Sequence, residues 1–337
     1  MSLAEPIHGP ALIGQEAAEE ELARAISSGR LHHGWILAGP SGIGKATLAY
    51  RAARYLLAYG AGKAEAETLD ADPAHPACRQ INAGAHPGLL TLAPPQPEPG
   101  RRAGLIPVEQ VRKVGRFLGA TSGEGGWRIV VIDPADGLNR AGQNAILKLL
   151  EEPPRQSLFL IVAHQPGRLL PTIRSRCRIL ELEPLSESAV RRILTEAGFE
   201  AGDKLDLAVR FANGDVERAA QIAGGEYDDA LPALADVIDT LPAVDTEKAM
   251  ALAGMTGGAG GEVLFEIVTE ALCGWLRATV RGAAEGAAAA ALAPYPALWG
   301  RITERAGETR GYNLDRSHCV LANLFDIQDA LAPGRQR

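Results

Sequence analysis

Four short apolar runs in the first half of the chain limit what it can fold into: Trp35–Ala38, Leu89–Leu92, Trp127–Ile132 and Ser157–Val162. A strand with one wet face alternates apolar and polar residues. A strand apolar at nearly every position is buried on both faces. Between these runs stand stretches with helical patterning, at Leu48–Leu57, Pro107–Leu118 and Ala141–Glu151, and Gln15–Ser28 precedes the first. Doubly buried strands alternating with helices require a parallel sheet covered on each side by helices, an α/β domain. The Pro-, Ala- and Gly-rich text from Gly60 to Gly104 is predicted to be irregular apart from Leu89–Leu92. Strand signals cease after about Pro184. Helices are expected at Ser186–Ala197, Lys204–Ala212, Val216–Ala223, Glu262–Arg281 and over the tail Ala297–Leu331. The plan is an α/β domain over 1–184, a small helical domain over 185–240 and an all-α C-terminal domain over 241–337.

Composition narrows the function classes. Hydrophobic residues make up 46% of the 337, enough for a packed core. Acidic residues outnumber basic ones, 41 to 34, for a net charge of −7. Such a chain does not coat DNA or anionic membrane by itself, since that binding is driven by cation–phosphate attraction. Cys78, Cys177, Cys273 and Cys319 are spaced too widely for a zinc knuckle or a disulfide scaffold, so reduced thiols are expected. The N-terminus has no basic, apolar signal-peptide pattern, and no uncharged apolar run is long enough to span a membrane. A soluble cytoplasmic protein with no membrane partner is expected.

The first chemistry-bearing motif runs from Gly39 through Pro40, Ser41, Gly42, Ile43, Gly44 and Lys45 to Ala46 and Thr47. Glycine, four residues, glycine and lysine, between an apolar strand and a helix, is the P-loop spacing. Glycine lets backbone N–H groups curl round a phosphate chain, and lysine reaches the terminal phosphates. The residue after Lys45 should be Ser or Thr, to hold Mg²⁺; here it is Ala46. Thr47 lies about 100° further round the helix. Gly39, Gly42, Gly44, Lys45 and Thr47 are thus candidates for a degenerate nucleotide site. It leaves room for weak ATP or ADP binding and compromises Mg²⁺-dependent hydrolysis. The run Ile129–Ile132 ends in Asp133, a candidate Mg²⁺ carboxylate of Walker B type, followed by Pro134 and Asp136.

A third constellation comprises Asn144–Pro154 (NAILKLLEEPP), then Pro171-Thr172-Ile173 and Ser175-Arg176-Cys177. Together with His33–Leu37, Gly42–Lys45 and Asn213–Ala219, it resembles the clamp-loader branch of AAA+ proteins, that of bacterial DNA polymerase III, over about residues 8–225. The resemblance implies an AAA+ sheet domain, a helical lid and a C-terminal collar domain that mediates oligomerisation. In that family the Ser-Arg-Cys arginine reaches the γ-phosphate of a neighbour's ATP, so Arg176 is the candidate trans arginine finger. The alternative for such an arginine is a helix cap or a surface ion pair, the role expected of Arg168, Arg174 and Arg178.

Departures from the family pattern select the kind of subunit. ATP-hydrolysing members keep the P-loop hydroxyl, a Walker B Glu and a lid arginine. Here those places hold Ala46, Pro134 and Glu217, with Arg218 one residue out of step. The polar sensor after the third strand is replaced by Ala163 or His164. The family's zinc module is reduced to Cys78, with His75 and His86 read as ordinary loop residues, so no metal is expected. Glu151 and Glu152, about 100° apart on a helix, are read as its end rather than a catalytic pair. The resemblance therefore implies a non-hydrolysing subunit needing no cofactor of its own. Its implied partners are tau/gamma ATPase subunits, delta, the sliding clamp and primed DNA. An ATP-hydrolysing tau/gamma-like motor and an unrelated P-loop enzyme are the alternatives.

Overall fold

The computed structural model describes residues 3–62, 68–95, 104–119, 126–258, 260–283 and 292–331. The chain divides into two compact units, 2–189 and 190–337.

The first unit is built on five parallel strands: β1 (Gly34–Ala38), β2 (Leu89–Leu92), β3 (Arg128–Ile132), β4 (Ser157–Ala163) and β5 (Arg178–Glu181). They lie in the order β2-β3-β4-β1-β5. Every residue of β1 and β4, the two central strands flanking each other, is buried. This is the α/β fold expected from the apolar runs. Around the sheet stand α1 (Glu16–Ser27), α2 (Lys45–Tyr59), α3 (Pro76–Asn82), α4 (Val108–Gly119), α5 (Arg140–Glu151) and the single turn α6 (Pro171–Arg174). Val111, Val114, Ile146 and Leu150 of α4 and α5 pack with Val130 and Phe159 of the sheet.

Two elements escape the pattern. In β5 only Leu180 of Arg-Ile-Leu-Glu is buried, so an edge strand framed by charge gives no apolar run. In α3, Pro76 takes the first helical position, where a missing N–H costs nothing, and the His75 side chain accepts from Ala77 N. A segment read as irregular therefore holds a short helix.

The second unit is helical, with α7 (Glu187–Glu196) lying across its start. Then come α8 (Asp203–Phe211), α9 (Val216–Ala223), α10 (Ala230–Thr240), α11 (Thr246–Gly257), α12 (Gly261–Ala283), α13 (Pro294–Gly311) and α14 (Arg316–Leu331). The sequence reading lacked α10 and α11. Pro232 masks α10, yet it sits in the first turn, where backbone N–H groups have no helical partner. Asp245 caps α11 by accepting from Glu247 N and Lys248 N. The helical tail is two helices, broken where Asn313 takes a left-handed φ of 52° and Asp315 accepts from Ser317 N at 2.8 Å. Phe211 and Ile222 of α8 and α9 share one buried core with Leu234, Leu252, Phe265 and Leu324 of the helices that follow. Among the described residues no helix is long and apolar enough to cross a membrane.

Glu19 of α1 ties the first unit together. Its carboxylate, 7% exposed, accepts from Arg51 Nε at 2.9 Å, Arg51 Nη2 at 2.7 Å and Leu69 N at 3.1 Å. Without Glu19, Leu69 N loses its acceptor and Arg51 is left with Asp70 Oδ1 alone, at 2.6 Å. Glu19→Ala is expected to lower unfolding free energy by about 2–3 kcal/mol, read from the shift in denaturant midpoint.

Candidate functional site

β1 delivers the chain into the P-loop. Gly39 donates to Ala163 O at 3.2 Å with φ +145°, and a Cβ there would lie 2.4 Å from Leu182 O. Only glycine fits that approach. Gly42 and Gly44 also take left-handed φ, 64° and 95°, which turn the chain into α2. Lys45 opens α2 and is 3% exposed, its ammonium donating to the carbonyl of Pro40 within the loop. Asp133, at the end of β3, faces it electrostatically. Burial raises the Asp133 carboxyl above its ordinary range, and the Lys45 charge pulls it partly back. Ala46 and Thr47 are half-buried in the first turn of α2, and Pro134 follows Asp133.

Gln15 and Asp136 hold this region in shape, and the sequence reading gave neither a role. The Gln15 amide, 5% exposed, donates to Ile43 O at 3.0 Å and Glu183 O at 2.8 Å, pinning the P-loop to the segment after β5. The Asp136 carboxylate accepts from His164 N at 2.7 Å and Gln165 N at 2.9 Å, joining the loops after β3 and β4. No local spacing marks either residue, because the partners lie 28 to 168 residues away in sequence.

Arg176 follows α6. Buried Gln143 of α5 holds the approach, its Oε1 accepting from Leu170 N at 2.8 Å and its Nε2 donating to Leu138 O at 3.2 Å and Arg168 O at 3.4 Å. Arg176 N donates to Ile173 O at 3.0 Å. The Arg176 guanidinium, 37% exposed, makes an ion pair with Glu151 Oε1 at 3.0 Å and donates from Nη1 to Thr172 O at 3.1 Å. The surface ion pair and the finger were weighed as alternatives for Arg176; in the isolated chain the ion pair is formed. Arg178 pairs with Glu21 at 2.7 Å and lies 4.9 Å over the Trp35 ring, as its surface role anticipated.

The strand register fixes where Arg176 stands relative to the P-loop of its own chain. β5 runs parallel to β1 with Arg178 beside Trp35 and Glu181 beside Ala38. Arg176 therefore lies at the start of β1, where a Cβ on Gly34 would meet Cys177 Sγ at 2.8 Å and Arg176 O at 3.6 Å. The P-loop leaves the other end of β1, five residues on. At ~3.3 Å per residue that is about 16 Å.

In the second unit, Asp215 caps α9 by accepting from Arg218 N at 3.0 Å. The Arg218 guanidinium is bonded to Glu270 of α12. Arg218 is thus engaged inside the helical unit. Cys78 is buried in α3, while His75 accepts from Ala77 N and His86 from Gly88 N. Among the described residues no three His, Cys, Asp or Glu side chains group to hold a metal.

Burial pushes the Cys177 thiol up to about 12, so it stays protonated beside Arg176. Between pH about 8.5 and that value the unfolded chain loses this proton and the folded chain keeps it, so stability falls as pH rises. Native Cys177 is expected to resist alkylation at pH 8 and to react once the chain is unfolded, as read by mass spectrometry.

A profile of the family described as "DNA polymerase III, delta subunit" matches residues 14–186, half of the chain. The delta′ subunit of Pseudomonas aeruginosa DNA polymerase III is 40% identical over 145 residues, 43% of this chain and 41% of that protein. The Escherichia coli K12 delta′ subunit is 32% identical over 207 residues, 61% of this chain and 59% of the relative. The tau subunit of E. coli is 29% identical over 270 residues, 77% of this chain and 40% of tau. The matches thus span between two fifths and three fifths of the relatives' own lengths. From a profile match across the whole sheet domain, with the P-loop and Ser-Arg-Cys inside it, the chain belongs to the DNA polymerase III delta-subunit family, in the delta′ clamp-loader branch.

Proposed function

We propose that this chain is a non-hydrolysing clamp-loader subunit that supplies Arg176 to ATP held by a neighbouring subunit. The observation that carries the reading is the strand register: Arg176 and the P-loop leave opposite ends of β1 and β5. An arginine there is of no use to its own nucleotide site, but stands ready for one brought up by another chain. A guanidinium is always charged, and its fork spreads stabilisation over the oxygens of a phosphoryl group in transfer.

The chain's own nucleotide site supports the same reading. With Ala46 and Pro134, the donors for Mg²⁺ are reduced to Asp133, and no carboxylate follows it to orient an attacking water. That donor set does not fit catalytic Mg²⁺–ATP. It leaves weak ATP or ADP binding at most through Gly39, Gly42, Gly44 and Lys45. The partners of this reading are tau/gamma and delta, with the sliding clamp and primed DNA reached through the complex in the cytoplasm. The helices of the second unit serve as lid and collar, and no zinc is required.

A second reading, an ATP-hydrolysing motor, is favoured by the similarity to tau, which runs over more of this chain than that to delta′, 77% against 61%. ATP turnover separates the two. The purified chain is expected to hydrolyse ATP at background rate, unchanged by Lys45→Ala; turnover lost on that substitution would establish the motor. In a reconstituted loader, Arg176→Ala is expected to slow hydrolysis at the adjoining site by at least about tenfold, a modest fraction of what an arginine finger can supply. An unchanged clamp-stimulated rate would exclude the finger.

A further inference from the structure

The Ser-Arg-Cys motif accounts for the finger but not for how a long, solvent-reaching side chain comes to be aimed. An arginine side chain carries about 2 kcal/mol of rotamer entropy, and each interaction it makes must overcome part of that. Here much of the ordering is already done. The backbone of Arg176 is fixed by Ile173 O and by Cys177 packed on Gly34, and the approach is fixed by Gln143. The guanidinium is then held at both terminal nitrogens, Nη1 on Thr172 O and Nη2 on Glu151 Oε1.

We infer that Glu151 is a positioning residue for the finger: it holds the Arg176 guanidinium by one terminal nitrogen while leaving its remaining donors for a phosphoryl group. A guanidinium has five N–H donors in a fixed plane. These two contacts take one each, so three remain for the anion. The hold is weak enough to yield. Glu151 is itself 44% exposed, and an ion pair in such surroundings is loose and screened by salt. The carboxylate therefore narrows the search of the side chain without trapping it. Glu151 stands at the end of α5, immediately before the turn into β4, at the same end of the sheet as Arg176. Its neighbour Glu152 lies beyond the helix, as a C-cap with φ −129° and ψ 70°.

The inference rests on the finger reading, and one set of loaders separates the two. Clamp-stimulated ATPase is measured with wild-type chain, Glu151→Ala, Glu151→Gln, Arg176→Ala and the double variant Glu151→Ala/Arg176→Ala, each first checked for a wild-type melting curve. Glu151→Ala is expected to lower kcat by about threefold, the scale of a solvent-exposed ion pair, with KM for ATP unchanged. Glu151→Gln, which keeps an acceptor oxygen in place, is expected to recover most of that loss. In the Arg176→Ala background, Glu151→Ala is expected to have no further effect. Wild-type or faster turnover by Glu151→Ala overturns the inference, as does a loss that persists undiminished without Arg176 or that Gln does not repair. If Arg176→Ala alone leaves the rate unchanged, the finger reading itself fails.

Discussion

The parallel pairing of β1 with β5 is the constraint on which the rest depends. Because both strands point the same way, the loop that leaves β1 and the turn that enters β5 are forced to opposite ends of the sheet. The P-loop and Arg176 are thereby separated by a strand's length, and no side-chain adjustment brings them together. The proposed division of catalytic labour between chains follows from that separation. The chain carries its P-loop at one end of β1 and Arg176 at the other.

The two ends of β1 are held by separate sets of contacts. The cradle keeps its glycines because Gly39 sits against Leu182 O, a packing demand that persists whether or not nucleotide is bound. Lys45 keeps a carbonyl partner within its own loop and a carboxylate facing it. Ala46 and Pro134 stand beside Lys45 and Asp133 and offer no side-chain oxygen. The other end is held by Gln143, Cys177 and Glu151 around an intact Arg176.

The central strands were legible in sequence because burial on both faces leaves nothing but apolar residues, as in Trp35–Ala38 and Ser157–Val162. β5 was not, since an edge strand with one buried side chain has no periodicity to detect. Helices α3 and α10 were hidden by prolines that are harmless only because they fall in a first turn. The motif residues of the candidate site were legible because their spacing is local. Its supports were not. Gln15 reaches Glu183, Asp136 reaches His164, and Glu151 reaches Arg176 across loops whose closure sequence alone does not specify.

The shared core of the helical unit has a mechanical consequence. α8 and α9 bury Phe211 and Ile222 among the same side chains as α10 to α14, and Arg218 is bonded across to Glu270. A short helix that turned in response to a bound phosphate would have to drag a 23-residue partner with it or tear open a common interior. The buried side chains of α8 and α9 are thus tied to those of the helices that follow, which works against their turning alone.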